Sequence, residues 1–375
     1  MDVDELTRLG LYDPDAPGAA ERLELIVLLF GLGATVPDMV AAAERGPLWT
    51  LAATLASEEQ PSLDVGQVAE RTGFTVETVD SIFAAFGVQI ESHTEKLFTD
   101  DDVEVLCDLA TLPQTSFFDA NALGEMFRVF GSSLSRVADA AVSMYLIGSE
   151  RIEEAEPGEL ARARAAVAAG ARATGLPKLL TAMLRHHFRL STDRQRRARE
   201  QASDPSAFRL AVGFVDVVGF TPLSAELGPS ELASLVSVFE NSSIDIVTRC
   251  GGQVVKHLGD EIMFVAVDVD AACEIALRLV DRIASVDLAA RGGVSFGDLT
   301  IRRGDYYGPV VNVASRLVDQ AVPGEVLVIT PVVDALGARN GPRAGFAFTP
   351  AGRRMLRGFA DPVEVWTLRR AIATA

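Results

Sequence analysis

Apolar positions in residues 1 to about 190 recur at helical spacing, as in Leu48, Leu51, Ala52 and Leu55. Ala, Leu and Glu dominate, so the pattern predicts a series of helices. Breaks fall at Pro14 and Pro17, Pro37, Gly46-Pro47, Pro61, Pro113 and Pro157-Gly158. Pro177 opens a last helix through Leu179, Leu180, Met183, Leu184 and Phe188. Residues 191–206, STDRQRRAREQASDPS, carry Arg194, Arg196, Arg197 and Arg199 and almost nothing apolar. They read as a linker, either extended or a solvated helix.

At Phe208 the texture changes. FRLAVGFVDV is apolar and β-branched, which predicts a buried strand. A helix follows over Leu232 to Val247, then two short strands in GGQVVKHLGDEIMFVAV around a turn at Leu258-Gly259. A helix (Ala271 to Ser285), a strand (Gly292 to Gly297), a helix (Val310 to Ala321) and a strand (Glu325 to Ile329) complete the order. Its first six elements, β-α-β-β-α-β, are the ferredoxin-like split arrangement. The expected class is therefore α+β: an all-α domain over 1–190, a linker over 191–206, and a ferredoxin-like domain over 207–375. Such a fold hosts many functions, so the site must decide.

The 375 residues include 34 Lys+Arg and 52 Asp+Glu, and 34 − 52 gives a net charge of −18. That balance argues against a nucleic-acid binder and against adhesion to an anionic membrane. A single nucleotide at a locally organised site stays open. Cys107, Cys250 and Cys273 have no metal-ligand spacing, which excludes a disulfide scaffold and a zinc ribbon and fits a reducing, cytoplasmic compartment. MDVDELTRLG lacks a basic leader segment, and the apolar run Leu25 to Val36 is shorter than the about 20 residues a membrane helix needs. A buried helix is expected there.

Two carboxylates stand out. Asp216 lies late in the first strand, before Gly219, Phe220 and Thr221, with Pro222 at the expected first helical position and Thr221 as its cap. Strand, glycine turn and helix N-terminus together make a phosphate cradle, and a neighbouring Asp suits magnesium. The alternative is an ordinary strand–turn–helix. Asp260 follows Gly259 at the predicted hairpin, where an aspartate usually just favours the turn. In a ferredoxin-like sheet that hairpin neighbours the first strand, so both carboxylates converge on one metal pair.

These motifs resemble the catalytic domain of class III adenylyl cyclases, across essentially all of 208–370. A metal Asp precedes GFT at Asp216, and a second follows a Lys-x-x-Gly hairpin as Lys256-His257-Leu258-Gly259-Asp260. A later block stands as GDYYGPVVNVASRL, residues 304–317. The resemblance implies that Asp305 reads adenine, Asn312 orients ribose and Arg316 meets transition-state charge. Asp305 accepts from the exocyclic amine while Lys256 donates to a ring nitrogen, a pattern that rejects guanine. Asn312 and Arg316, four apart, share one helix face. Arg357, in MLRGF, resembles a basic residue holding the terminal phosphates. His257, alternating with Lys256, points to the opposite face and has a structural role. The implied cofactors are two Mg²⁺ or Mn²⁺ ions and the substrate is ATP. The implied assembly is a head-to-tail homodimer with two composite sites, metal aspartates from one protomer and the other readers from its partner. Competing readings are a diguanylate or guanylyl cyclase, since GDEIMF resembles a GGDEF turn, and a non-catalytic nucleotide sensor.

Within the helical half, residues 65–87 resemble a helix–turn–helix, but Glu70, Glu77 and Asp80 stand against Arg71 alone, which favours a plain helical hairpin. The half as a whole is similar to autoinhibitory regulators of actinobacterial cyclases, including pH-responsive ones. His186 and His187 sit between Arg185 and Arg189, where protonation adds charge beside arginines; the regulatory reading competes with two solvated histidines. Leu25 to Phe30, with Phe117, Phe118, Phe127 and Phe130, form either a pocket for a lipid chain or, the favoured reading, ordinary core.

Overall fold

The computed structural model describes residues 2–56, 61–111, 120–155, 158–173, 175–285, 288–337 and 345–371. Two compact units divide the chain, residues 1–185 and 186–375. The first unit is helical: α1 (Val3–Arg8), α2 (Ala19–Gly31), α3 (Val36–Arg45), α4 (Trp49–Leu55), α5 (Val65–Thr72), α6 (Val76–Ala85), α7 (Asp100–Thr111), α8 (Ala120–Ala155) and α9 (Glu159–Ala173). α10 (Leu176–Glu200) runs through the division.

Leu25, Ile26 and Leu29 of α2 are fully buried against Leu48, Trp49, Leu160 and Ala163, so this apolar run is core. Phe127 stacks instead on Phe86, with ring centroids 4.7 Å apart; Phe117 and Phe118 lie outside the described residues. The helix–turn–helix-like segment forms α5 and α6. Asp64 and Gln67 make a capping box, Thr75 caps α6, and Gly73 turns the chain at φ 75°. Arg71, its one arginine, is ion-paired with Asp100.

The second unit carries β1 (Phe208–Val218), α11 (Phe220–Glu226), α12 (Pro229–Arg249), β2 (Gln253–Leu258), β3 (Glu261–Ala266), α13 (Val269–Ala284), β4 (Ala289–Arg302), β5 (Asp305–Tyr307), α14 (Pro309–Gln320), β6 (Val326–Ile329), α15 (Thr330–Ala335), β7 (Phe346–Arg354) and β8 (Val363–Arg370). The sheet runs β2-β3-β1-β4-β6-β8-β7, and β5 pairs with β4 off that path. Its first four strands have the ferredoxin-like order, with antiparallel β1–β3 and β1–β4 pairs. The α+β expectation holds: β1, α12, β2, β3, α13 and β4 make the β-α-β-β-α-β succession, and α11, β5, α14, β6, α15, β7 and β8 lie outside it.

Strand alternation splits the core. Ala211, Val215 and Val217 pack with Ala272, Ile275 and Ala276 of α13, while Leu210, Val212 and Phe214 pack with Ala314 and Val318 of α14. Two glycines of β4 let α14 approach. A Cβ on Gly293 would lie 2.5 Å from the Ala314 carbonyl oxygen, and one on Gly297 2.8 Å from Val310 Cγ2. β4 outruns the expected Gly292–Gly297 because β1 pairs with it from Ala289 to Leu299, carrying polar residues into the ladder.

Residues 191–200 are helical, the end of α10. This stretch is not simply solvated. Ala198 is fully buried in the cluster with Leu210 and Val212, and the Arg197 guanidinium donates to both oxygens of Asp268 at 2.7 and 2.9 Å. Among the described residues, no helix is long and apolar enough to cross a membrane.

Candidate active site

β1 carries Asp216 almost to its end, in register with Glu261 on β3 and Arg291 on β4. Gly219, at φ 78°, then turns the chain. The left-handed glycine starts α11 at Phe220, so Gly219 is the N-cap and provides no side-chain bond. Thr221 therefore lies inside the helix rather than capping it, a correction to the expected start; its side chain is outside the described residues. Phe220 packs on the main core.

Asp260 occupies the β2–β3 turn after Gly259, which has φ 71°. The Val217 amide donates to its carbonyl at 3.2 Å, tying the turn to the end of β1. Asp216 and Asp260 are thus brought together. Burial raises the Asp216 pKa above the ordinary carboxylate value; hydrogen bonding from Arg291 pulls the other way, and the Asp260 charge adds to the rise. Glu261, half-buried and facing the charges of Asp216, Asp319 and Asp260, is pushed up to about 7. Repulsion among these oxygens is what a hard divalent cation relieves. Among the described residues no group of three or more potential ligands forms a closed cage. An open pair of carboxylates, completed by substrate phosphate oxygens, fits Mg²⁺ or Mn²⁺.

Lys256 and Asp305 also meet. A bulge between Val254 and Lys256 re-aims β2, and the Lys256 ammonium donates to Asp305 Oδ2 at 2.6 Å. The Tyr306 amide donates to Asp305 Oδ1 at 2.9 Å, fixing the carboxylate. His257 takes the opposite face, its ring edge-on to Phe239 at 6.1 Å between centroids. Its structural placement accords with strand alternation.

Pro309 opens α14, whose buried face is Val313, Ala314, Leu317 and Val318. Asn312 and Arg316 project from the opposite, solvent side, Arg316 lying 3.4 Å from Asp319. Arg357 is exposed in the turn after β7, and His186 and His187 are exposed on α10. Two further residues of the site carry no local sequence signal. Arg291 falls just before the strand start read at Gly292, and Glu261 follows Asp260 in the GDE turn. Their signal is strand register: both are cross-strand partners of Asp216.

The chain thus carries an acidic pair at the end of β1 and a separate Lys–Asp pair between β2 and β5. The family model described as the adenylate and guanylate cyclase catalytic domain matches residues 205–370. An adenylate cyclase of Streptomyces coelicolor is 32% identical over 334 residues, 81% of this chain and 85% of that protein. An uncharacterized protein of Mycobacterium tuberculosis is 30% identical over 372 residues, covering 98% of this chain and 94% of that one. A pH-sensitive adenylate cyclase of the same species is 28% identical over 372 residues, 96% and 91% of the two chains. The chain belongs to the class III adenylate and guanylate cyclase family.

Proposed function

We propose that the protein is an adenylyl cyclase, converting ATP to 3′,5′-cyclic AMP and pyrophosphate. The observation that carries this reading is the Lys256–Asp305 pair at 2.6 Å, a donor and an acceptor with the polarity that adenine needs. Guanine, with the reversed pattern, leaves both unpaired. In the reaction the ribose 3′-hydroxyl gives up its proton to water, its oxygen bonds to the α-phosphorus, the bond to the bridging β-phosphate oxygen breaks, and pyrophosphate leaves. Asp216 and Asp260 would hold Mg²⁺ or Mn²⁺. When bound, these ions neutralise the triphosphate and lower the pKa of the 3′-hydroxyl. Asn312 orients the ribose, and Arg316 meets charge growing on the α-phosphate oxygens. Asn312 is exposed and Arg316 partly exposed on α14, which suits action on a partner's nucleotide, in a head-to-tail homodimer with two composite sites. Arg357 steadies the terminal phosphates, from the turn after β7.

Regulation belongs to the helical unit, with His186 and His187 of α10, just past the division between the units, as the residues through which it responds to pH. Replacing both by alanine flattens the pH–activity curve in this reading; an unchanged curve overturns it.

The deciding experiment incubates full-length protein with ATP or GTP, each with Mn²⁺ or Mg²⁺, and identifies the product by mass. Cyclic AMP from ATP supports the assignment. Cyclic GMP or cyclic diguanylate from GTP moves it elsewhere in nucleotide cyclisation, and no product under any condition leaves a non-catalytic module.

A further inference from the structure

The last turns of α10 are seated against the elements that carry the Lys256–Asp305 pair. β2 lies at an edge of the sheet beside β3, whereas β5 pairs with β4. Lys256 and Asp305 therefore stand on strands that share no ladder, and side chains must fix their separation. Tyr306, next to Asp305, is 5% exposed and belongs to the same apolar cluster as Ala198 of α10. Its hydroxyl donates to Gln253 Oε1 on β2 at 3.3 Å, three positions before Lys256. Arg194 lies one turn before Ala198 on the same helix face. Burial raises the Tyr306 pKa, and the charge and hydrogen bond of Arg194 oppose that rise. A guanidinium only donates, while a phenol both accepts and donates, so the direction is fixed: Arg194 to Tyr306 to Gln253. Arg197 clasps both oxygens of Asp268, the residue before α13, and so holds the helix end in place.

We propose that Tyr306 is a specificity-determining positioning residue through which the end of α10 acts on base recognition: the Arg194–Tyr306–Gln253 chain braces β5 against β2 and holds Lys256 and Asp305 at the spacing a purine requires. The proposal rests on that pair reading the base. It gives α10 a route to nucleotide affinity. With the helix end seated, affinity and choice of base are high; with Arg194 withdrawn, both fall. Asp216, on β1, is outside the chain, so the loss falls on nucleotide binding more than on kcat.

The test is equilibrium binding of the non-cyclisable α,β-methylene analogues of ATP and GTP, with Mn²⁺, to full-length protein by titration calorimetry. Tyr306→Phe keeps the buried ring and removes only the hydroxyl. It is expected to weaken the ATP analogue about 2- to 10-fold and to narrow the preference over the GTP analogue by at least about twofold. Arg194→Gln shifts both in the same direction, and Arg194→Lys restores part of the loss. The signature is coupling: in the Tyr306→Phe background, Arg194→Gln adds less than about twofold. Wild-type affinity and preference in either single variant overturn the proposal. Effects that multiply in the double variant also overturn it, since Arg194 then acts elsewhere. If circular dichroism shows Tyr306→Phe unfolded, Arg194→Gln decides by its affinity and preference. Asp305→Asn separates the underlying reading: an unchanged preference there removes base recognition by the pair, whereas a changed preference there with wild-type binding in Tyr306→Phe removes only the brace.

Discussion

Replacing Asp305 by asparagine separates recognition from stability. The side chain keeps its shape and loses its charge. In the fold its partner is Lys256, and the two side chains are 31% and 39% exposed. An ion pair this wet contributes less than about 1 kcal/mol to folding once solvent screening is counted. Against a bound purine the arithmetic differs. A hydrogen bond to a charged group is worth about 1.5–3 kcal/mol, which at about 1.4 kcal/mol per decade is roughly a 10- to 150-fold change in kcat/KM. The introduced amide can also turn to donate to the guanine oxygen, narrowing the gap between bases. The expected result for Asp305→Asn is an unfolding free energy within about 1 kcal/mol of wild type, kcat/KM for ATP down by about 10- to 150-fold, and an ATP-to-GTP preference reduced by at least about tenfold. The assay is initial-rate kinetics with both nucleotides beside a urea titration. An unchanged ATP-to-GTP ratio in a stably folded variant refutes the recognition argument.

Three further outcomes follow from the geometry. Asp216→Asn and Arg316→Ala are each inactive alone, but an equimolar mixture regains up to about a quarter of wild-type activity, because half the dimers are mixed and each has one intact site; no recovery after subunit exchange refutes the composite site. Gly293→Ala forces a Cβ to within 2.5 Å of the Ala314 carbonyl and 2.7 Å of Leu317 Cβ, so it is expected to destabilise the second unit by about 1–3 kcal/mol and to reduce turnover through displaced α14, both measurable in one preparation. Glu261 titrates at about 7 in the fold against an ordinary 4.5; the raised value means its contribution is full below pH 4.5 and is lost as pH rises through 7, so metal-free protein loses about 1–2 kcal/mol between pH 5 and 8, discounted for partial exposure, and Glu261→Gln removes that slope in urea titrations at the two pH values.

The site is legible in the sequence where chemistry follows local pattern. Asp216 before a glycine turn, Asp260 in a hairpin, and Asn312 and Arg316 four apart on a helix all depend on neighbours within a few residues. Even Lys256 and His257 separate correctly, since alternation alone assigns them opposite faces. What escapes depends on distant pairing. β7 reads as FAFTPAGRR, whose proline and glycine suggest a loop, yet it pairs with β8 through a bulge at Pro350/Gly352. β5 has three residues, too few for any periodicity. Arg291 acquires meaning only when β4 lies beside β1, 75 positions from Asp216. The helix start shifts from Pro222 to Phe220 because Gly219, not Thr221, makes the turn. The segment 191–200 reads as solvated because its arginines hide the one alanine, Ala198, that is buried.

The placement of β5 has an evolutionary consequence. Asp305 rides on a short hairpin arm that joins β4 alone, and Lys256 lies on the edge strand β2, whereas Asp216 stands on β1 in the middle of the sheet. Substitutions of Asp305 or Lys256 disturb few buried neighbours, while those along β1 disturb both faces of the core. Under the proposed function, choice of base is therefore free to drift between descendants of this chain, while Asp216, on which phosphate chemistry depends, is anchored against it.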